Sequence, residues 1–258
     1  MSVRPLRVFL TGASSGLGAA LAAHYAAGGA QLGLAARRTE LLQSLAASLP
    51  GSHLLYPLDV TDHDALAAAA GDFVARAGVP DIVIANAGVS VGTLTEHAED
   101  LPAFARVFQV NVFGMAATFQ PFIAPMRAAR QGTLAGIASV AGIRGVPGAG
   151  AYSASKAAAI NYLESLRVEL CGSGIRVSTI CPGYIETPMT AVNRYPMPFL
   201  LKADEAARRV ARAIDSGTSY AVVPWQMAIV AKLLRLLPNA VNDALFVRVG
   251  RKPRGLPL

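Results

Sequence analysis

Short apolar segments alternate with longer alanine-rich segments along this chain. Seven of the apolar segments have the length of a strand: LRVFL, AQLGLAA, HLLYPLDV, DIVIANAG, GTLAGIAS, IRVSTICPG and YAVV. Helical patterns fall between them, at about 14–28, 39–49, 62–77, 102–129, 151–172 and 203–216. Because uniformly apolar strands separated by helices are typical of a parallel sheet covered on both faces, the pattern predicts an α/β fold with a doubly wound parallel sheet.

The composition agrees with one compact domain. Hydrophobic residues make up 53% of the 258 residues and charged residues only 15%, which excludes a disordered chain. No Pro/Gly/Ser-rich linker divides the sequence, so we expect a single domain over residues 1–258. The stretch MSVRPLRVFLTG is too short and too soon interrupted by Gly12 for a signal peptide, and no apolar run reaches about 18 residues, so we expect a cytoplasmic protein.

Charge and cysteine content bear on the partners. The net charge is +7, but the basic residues are scattered and no basic stripe carries interleaved aromatic residues, so we expect no nucleic-acid partner. An anionic cofactor and an anionic membrane lipid are equally compatible with this charge. Cys171 and Cys181 lack CxxC or metal-ligand spacing, so we expect both to be reduced and structural, and we expect no metal site.

A glycine-rich turn follows the first predicted strand. In TGASSGLG, Gly12, Gly16 and Gly18 stand between this strand and a predicted helix. Glycine allows positive φ angles and close backbone approach, and a helix N-terminus offers free N–H groups to a pyrophosphate. The spacing is GxxxGxG instead of the more common GxGxxG, and a tight turn that binds nothing is the alternative. We expect a dinucleotide to contact Gly12, Ser14, Ser15, Gly16, Leu17 and Gly18.

The end of the second predicted strand indicates which dinucleotide binds. A NAD-binding unit carries an acidic residue about twenty residues after the turn, whereas this strand ends in LAARRTE. Ala36 offers no carboxylate, and the guanidinium groups of Arg37 and Arg38 suit the dianionic 2′-phosphate of NADP. We therefore expect NADP(H) to be preferred over NAD(H). The alternative is that the two arginines only form the solvated start of the next helix.

The segment AYSASKAAAI, at 151–160, carries a phenol and an amine one helical turn apart. Tyr152 and Lys156 share a face of a predicted helix among residues with small side chains, so another element or a ligand can approach both. A chance pair on a surface helix is the alternative. The pair alone does not decide between these two interpretations.

Four short motifs occur in order along the chain. They are TGASSGLG near the N-terminus, NAG at 86–88, YSASK at 152–156 and PGYIET at 182–187. Together, over about residues 6–190, they resemble the short-chain dehydrogenase/reductase family. The resemblance implies a Rossmann-like doubly wound sheet with strand order 3-2-1-4-5-6-7, NAD(P) as cofactor, and the interconversion of a carbonyl and an alcohol.

The resemblance also implies a role for each matching residue. Tyr152 matches the family's catalytic tyrosine, Lys156 its lysine, and Ser139 in GIASVAG its serine. Asn111 in QVNVFG matches the helix asparagine that completes a proton relay. Further cofactor contacts are implied for Asp59 and Val60 at the adenine, for Asn86, Ala87 and Gly88 along the inner side, for Tyr152 and Lys156, and for Pro182, Gly183, Ile185 and Thr187 around the nicotinamide.

Each of these residues has a structural alternative. Asn111 could be a buried amide that satisfies the core, and Ser139 could satisfy backbone groups at a strand end. Asp59 could cap the helix that begins near Thr61, without losing contact with adenine.

The chemistry of this residue set is hydride transfer. Tyr152 would donate the proton to the carbonyl oxygen, and Ser139 would fix that oxygen. Lys156 and the oxidised nicotinamide would lower the pKa of Tyr152 by about 2 to 3 units. Asn111 would hold a water that passes protons onward from Lys156. A non-catalytic NADP(H)-sensing protein is the alternative, but binding alone requires no acid.

The chain departs from the family pattern before NAG and after the last motif. Ala85 replaces the first of two asparagines. Residues 188–204 mix proline, aromatic and aliphatic side chains, which predicts a lid over a small hydrophobic carbonyl or alcohol substrate.

Residues 225–258 form a basic amphipathic extension in place of the segment that commonly closes a tetramer. We expect a homodimer or homotetramer whose extension packs on its own domain or on a subunit, or lies on an anionic membrane.

Overall fold

The fold is a seven-stranded parallel sheet with helices on both faces. It is seen in a computed structural model that describes residues 4–193 and 195–256. The strand order is β3-β2-β1-β4-β5-β6-β7, which confirms the predicted fold class and strand order. The crossover direction reverses between β1 and β4, and ligands of such sheets bind at the carboxyl ends of the strands at this point. The strands are β1 Arg7–Thr11, β2 Gln31–Ala36, β3 Leu54–Pro57, β4 Ile82–Ala85, β5 Thr133–Ile137, β6 Arg176–Pro182 and β7 Tyr220–Val223.

The helices lie between the strands and after the last one. They are α1 Gly16–Ala27, α2 Thr39–Ser48, α3 His63–Ala77, α4 Leu101–Phe108, α5 Gly114–Ala129, α6 Gly150–Glu169, α7 Pro188–Ala191, α8 Ala203–Asp215, α9 Trp225–Leu236 and α10 Asn239–Phe246. Helices α1 and α8 pack on one face of the sheet, and α3, α5 and α6 pack on the other. Both faces of the sheet are therefore covered by helices.

The period-two alternation of β1 divides the core between these faces. Val8 and Leu10 point to the side of α1 and α8, whereas Phe9 points to the opposite side. There the Phe9 ring centre lies 5.5 Å from that of Phe73 and 4.8 Å from that of Phe122. These five side chains are at most 1% exposed, so both faces of the central strand are buried.

The predicted helix at 102–129 is interrupted. The helical stretch Ala98–Ala129 contains a π-helical turn at Gln109–Phe113 between α4 and α5. Within the described ranges, this stretch is long and apolar enough to cross a membrane by length and composition. Its Phe119 and Met126 nevertheless have no exposed surface and pack in the core under the sheet. The hydrophobic pattern predicted the helix but not the π-helical turn.

The predicted lid, residues 188–204, is tied to the end of β6 at both sides. Thr187 and Thr190 form a capping box at the start of α7, in which the Thr187 side chain accepts the Thr190 N–H and the Thr187 N–H donates to Thr190 Oγ1 at 3.1 Å. A β-bridge joins Ile185 to Leu201 and closes the segment into a loop. Residue 194 of this predicted lid lies outside the described residues.

The predicted C-terminal extension, residues 225–258, forms α9 and α10, and its residues 257 and 258 lie outside the described part. Met227 and Ala231 of α9 are buried against the domain, so one face of the extension packs on its own domain. Arg144 donates to Leu234 O at 2.8 Å, near the end of α9. The opposite face is apolar and exposed. We call it the α9 outer face, and it consists of Trp225, Ile229, Leu233 and Leu236.

Candidate active site

The predicted site residues come together in one cleft at the carboxyl ends of the strands. The predicted residues all belong to the described part of the chain, and Asn111 is the one among them that does not line the cleft. Sequence reasoning missed Leu58, Val89, Val110, Ile137 and Ala138, which also line it, and Pro188, Met189 and Thr190 of the predicted lid line it as well. The lining includes Gly12, Ser14, Ser15, Gly16, Leu17, Gly18, Arg37, Arg38, Asp59, Val60, Asn86, Ala87, Gly88, Ser139, Tyr152, Lys156, Pro182, Gly183, Ile185 and Thr187.

The glycine-rich turn has the backbone that its sequence predicts. Gly12 and Gly16 have φ angles of 67° and 56°, where a Cβ is disfavoured. A Cβ on Gly12 would lie 2.7 Å from Ala87 Cα, so the turn presses against the segment after β4. Asn86 Nδ2 donates to Thr11 O and to Gly12 O, both at 3.1 Å. The Asn86 amide therefore holds the turn in place, a role that its motif did not reveal.

The two arginines after β2 stand at the outer end of this turn. Arg38 donates to Ser15 Oγ at 2.7 Å and to Ser14 Oγ at 3.2 Å, so its guanidinium group lies over the turn. The Arg37 guanidinium lies 3.8 Å from Asp59 Oδ2, with the Arg37 side chain 45% exposed. A dinucleotide fits this arrangement, because the glycines leave space at the turn and both arginines flank the cleft.

Thr61 and Arg106 hold the Asp59 carboxylate, and sequence reasoning did not predict the contact with Arg106. Thr61 donates to Asp59 Oδ1 from its N–H at 2.9 Å and from its hydroxyl at 2.8 Å, and Arg106 of α4 pairs with Asp59 Oδ2. Burial opposes ionisation, but these hydrogen bonds hold the pKa of Asp59 below its usual range. The alternative that Asp59 caps the following helix is wrong, because Asp62 caps α3 through Ala65 N–H.

Ser139, Tyr152 and Lys156 meet at the inner end of the cleft. Ser139 follows β5, and its Oγ accepts the Ala141 N–H at 3.1 Å. Tyr152 and Lys156 lie one turn apart on α6, and Lys156 Nζ lies 5.8 Å from the centre of the Tyr152 ring. Lys156 is 3% exposed and donates to Ile137 O at 2.7 Å. The helical pair that could have arisen by chance is thus built into the cleft wall.

The pKa of Tyr152 differs from the sequence-based expectation. Burial raises it above the usual value, and the adjacent Ser139 hydroxyl only partly counteracts this effect. Burial also lowers the pKa of Lys156 to about 8. The expected decrease for Tyr152 is therefore not produced by the protein's own residues, because removing the phenolate from water outweighs the hydrogen bond with Ser139. The phenol is protonated at neutral pH, which is the form that a proton donor requires.

Asn111 lies behind the cleft, in the π-helical turn. It has no exposed surface, and its Oδ1 accepts Val89 N–H at 2.8 Å. Its Nδ2 donates to Val89 O at 3.0 Å and to Ser155 Oγ at 2.9 Å, and Ser155 in turn donates to Tyr152 O. The amide satisfies the core, as the structural alternative predicts. It also links the segment after β4 to the helix that carries Tyr152.

Among the described residues, neither cysteine lines the cleft. Cys171 and Cys181 are both free, Cys181 is buried and Cys171 is exposed. Across residues 4–193 and 195–256, no group of His, Cys, Asp and Glu side chains is placed to hold a metal ion.

The chain is similar to known proteins over most of its length. Residues 7–197 match the model of the family described as short chain dehydrogenase. An uncharacterized oxidoreductase of Myxococcus xanthus is 39% identical over 240 residues, which cover 91% of this chain and 94% of that protein. The 2-dehydro-3-deoxy-L-rhamnonate dehydrogenase (NAD(+)) of Sphingomonas is 36% identical, over 70% of this chain and 72% of its own. A short-chain dehydrogenase from Streptomyces avermitilis has a similar structure, with a TM-score of 0.81, 28% identity, and coverage of 95% and 96%.

Proposed function

Because the chain belongs to the short-chain dehydrogenase family of oxidoreductases, we propose that it interconverts a carbonyl and a secondary alcohol with NADP(H). The observation that supports this proposal is the meeting of Ser139, Tyr152 and Lys156 in one wall of the cleft. A protein that only bound the cofactor would not need a half-buried phenol beside a hydroxyl and an amine. This residue set disfavours the alternative of a non-catalytic cofactor sensor.

Tyr152 is the proposed general acid. When bound, the nicotinamide supplies the hydride to the carbonyl carbon in reduction and accepts it in oxidation. Negative charge then develops on the carbonyl oxygen, and the Tyr152 hydroxyl donates the proton that this oxygen gains. Burial keeps the phenol protonated, since it raises the pKa of Tyr152. The Ser139 hydroxyl donates to the same oxygen and holds it within reach of the phenol.

Lys156 has a positioning role in this proposal. Its bond to Ile137 O at 2.7 Å and its location over the Tyr152 ring fix the amine at the inner end of the cleft. There it holds the ribose next to the nicotinamide. Asn111 supports this end of the cleft from behind, since it ties Val89 to Ser155. We propose that the hydrogen bonds of Asn111 to Val89 and Ser155, as well as any water that Asn111 holds, are needed for activity.

NADP(H) is the proposed cofactor because of Arg37 and Arg38. Both side chains flank the cleft, and neither Ala36 nor a neighbour in LAARRTE before Glu40 presents a carboxylate to the ribose. The Sphingomonas relative is named for NAD(+), so family membership alone does not select the cofactor. Two guanidinium groups favour a 2′-phosphate through charge-assisted hydrogen bonds.

The proposed substrate has an apolar body. Pro188 and Met189 of the lid line the cleft, and Ile185 lines it just before the lid begins. The ring of Tyr195 in the lid lies 6.3 Å, centre to centre, from that of Tyr184. The Sphingomonas relative acts, by its name, on a polar sugar acid, so the apolar lid is what supports this proposal.

The proposed function is tested with a panel of aliphatic, cyclic and aromatic ketones and the consumption of NADPH. Tyr152→Phe should lower kcat about 100-fold or more, because a general acid contributes roughly two to four orders of magnitude. Tyr56→Phe is the matched control, since Tyr56 lies away from the cleft and donates to Asp72 at 2.8 Å. A folded Tyr152→Phe protein with most of its reductase activity would show that the acid is wrongly assigned.

The α9 outer face supports a second proposal, peripheral attachment to an anionic membrane. Trp225 and Leu236 of this face are 64% and 80% exposed. Exposed cations flank it at Lys232, Arg235 and Arg248, and residues 225–258 contain one acidic residue, Asp243. An apolar face bordered by cations matches the boundary between acyl chains and anionic headgroups. Attachment through this face is compatible with catalysis.

A further inference from the structure

Residues 251–254, which we call the strap, run across segments that leave the carboxyl end of the sheet. Gly92, in the segment after β4, donates its N–H to Pro253 O at 2.9 Å. Arg251 packs on Gly148, in the segment between β5 and α6, where an added Cβ would lie 2.8 Å from Arg251 Cβ. These segments begin at the strand ends that form the cleft. The strap therefore packs on two segments that continue from strand ends at the cleft.

Lys252 is the buried residue of the strap. It is 7% exposed, and its Nζ donates to Met189 O at 3.1 Å. Met189 belongs to α7 and lines the cleft, so the ammonium group is one hydrogen bond away from the cleft wall. An ammonium group has three protons to donate. Within residues 4–193 and 195–256, Lys252 Nζ makes one hydrogen bond, to Met189 O, and no carboxylate pairs with this ammonium group.

The neighbouring arginine shows that carboxylates are available near the strap. Arg254 Nε donates to Asp100 Oδ2 at 2.7 Å, and Arg254 also bonds Glu99 Oε1 at 3.0 Å. The Arg254 side chain is 31% exposed, so the less buried cation has two carboxylate partners. The more buried cation, Lys252, has none among the described residues. Burial without a counter-charge disfavours the ammonium form, and it lowers the pKa of Lys252 to about 8.

We propose that the Lys252 ammonium group binds a carboxylate of the substrate, so that the substrate is a keto acid or hydroxy acid with an apolar body. This inference rests on the proposed function for the reacting carbonyl. A single buried cation matches a single negative charge, and a carboxylate can accept the protons that Met189 O leaves free. The apolar lid would cover the carbon skeleton between the carboxylate at Lys252 and the carbonyl at Tyr152.

The test compares acids with their uncharged esters. Levulinate and its next two longer homologues are reduced alongside their methyl esters, by the wild-type protein and by Lys252→Met. We expect Lys252→Met to raise KM for the best acid about 10- to 100-fold, as loss of a charge-assisted hydrogen bond predicts. KM for the esters and kcat for the acids should change less than about threefold. Lys252→Arg should restore part of the acid preference.

A structural role for Lys252 predicts different results. If Lys252 only fixed α7 through Met189 O, Lys252→Met would impair acids and esters equally and would lower Tm. Removal of an uncompensated buried charge should instead leave Tm equal or higher. Lys232→Met is the matched control, because Lys232 is an exposed lysine of the same C-terminal extension. Equal impairment of acids and esters, or a wild-type protein without preference for acids, would overturn the inference.

A binding measurement separates this inference from the proposed reaction. Hexanoate has no ketone group that could be reduced, so any increase in Tm that it causes does not depend on turnover. With NADPH present, hexanoate should raise Tm of the wild-type protein and of Tyr152→Phe, but not of Lys252→Met, and methyl hexanoate should raise none. If hexanoate protects in this pattern while no ketone is reduced, the carboxylate site stands and the proposed reaction fails. If ketones are reduced but hexanoate protects wild type and Lys252→Met alike, the carboxylate site fails.

Discussion

The amine of Lys156 lies over the face of the Tyr152 ring, 5.8 Å from its centre. Lys156 is buried and Tyr152 is half-buried, and burial shifts the two pKa values in opposite directions, upward for Tyr152 and down to about 8 for Lys156. Each shift favours the neutral form. At neutral pH the Tyr152 phenol is therefore uncharged, and of the two groups it is Lys156 whose charge changes with pH near neutrality.

This relationship predicts how stability depends on pH. Between pH 8 and 9, an unfolded chain keeps the Lys156 proton, while the folded chain gives it up as pH rises through about 8. The unfolded state then binds more protons, so stability should rise with pH by up to about 1.4 kcal/mol per unit for this lysine. Lys252, whose pKa is also about 8, adds to the same slope. Above this window Cys181 and Tyr152 oppose it, because burial raises both of their pKa values.

Urea unfolding at pH 8.0, 8.5 and 9.0 measures this slope. Lys156→Met should reduce it and Lys156→Met combined with Lys252→Met should remove most of it, whereas Lys232→Met should keep the wild-type slope. An unchanged slope in the double variant would show that these lysines do not titrate in this range.

The arginines after β2 predict a split between the two cofactors. Arg37→Ala should lower kcat/KM for NADPH about 10- to 100-fold with little change for NADH, since a phosphate contact is lost. Arg38→Ala should impair both cofactors, because Arg38 also holds Ser14 and Ser15. Arg76→Ala is the control, since Arg76 pairs with Asp72 away from the cleft. Equal use of NADPH and NADH by the wild-type protein would contradict the preference.

Gly88 predicts a loss of activity that is larger than the loss of stability. A Cβ at this position would lie 3.3 Å from Asn111 Oδ1 and 3.5 Å from Lys156 Nζ. Gly88→Ala should therefore displace Lys156 and lower kcat about tenfold, at a cost in stability of about 1 kcal/mol. Gly71→Ala is the matched control in the exposed part of α3, where nothing lies within 4 Å of the new Cβ. It should keep full activity and gain about 0.5 to 1 kcal/mol from helix propensity.

The α9 outer face predicts binding to anionic vesicles. Trp225 is the single tryptophan of the chain and belongs to this face, so its emission reports directly on insertion. Phosphatidylglycerol vesicles at low salt should shift the emission to shorter wavelength and carry the protein into the pellet. Leu233→Glu should prevent both effects and keep reductase activity, whereas Leu101→Glu, at an exposed leucine of α4, should prevent neither.

Two results would contradict membrane attachment. One is a protein that stays in the supernatant with an unshifted spectrum. The other is a concentration-dependent dimer, without vesicles, that Leu233→Glu dissociates. That second result would assign the α9 outer face to a second copy of the chain.

The sheet was predictable because the strand signal is local and strong. Each strand of the series is a short apolar run, and burial on both faces of β1 through Val8, Phe9 and Leu10 requires that pattern. The cleft was predictable because its glycines and its Tyr152 and Lys156 pair belong to short motifs at strand ends. The motifs named the residues but not all of what they contact. The side-chain amides of Asn86 and Asn111, for example, form hydrogen bonds with backbone groups.

The residues that were missed act across long separations in sequence. Arg106 reaches Asp59 from α4, and no spacing in the sequence connects the two. Lys252 is one of several cations in a basic tail, and only its burial against Met189 distinguishes it from Arg251 and Arg254. The π-helical turn depends on the same kind of information, since the Asn111 bonds to Val89 and Ser155 are tertiary.

The strap is synthesised after all the residues that line the cofactor cleft, and this order affects how the site assembles. Every residue of the cofactor cleft precedes it in the chain, and Thr190 is the last of them. A nascent chain can therefore complete its nucleotide-binding cleft while the strap is still inside the ribosome. Cofactor can be captured at that stage, before Pro253 reaches Gly92 and before Lys252, the proposed substrate contact, reaches Met189. The protein would thus acquire affinity for its cofactor first and selectivity for its substrate last.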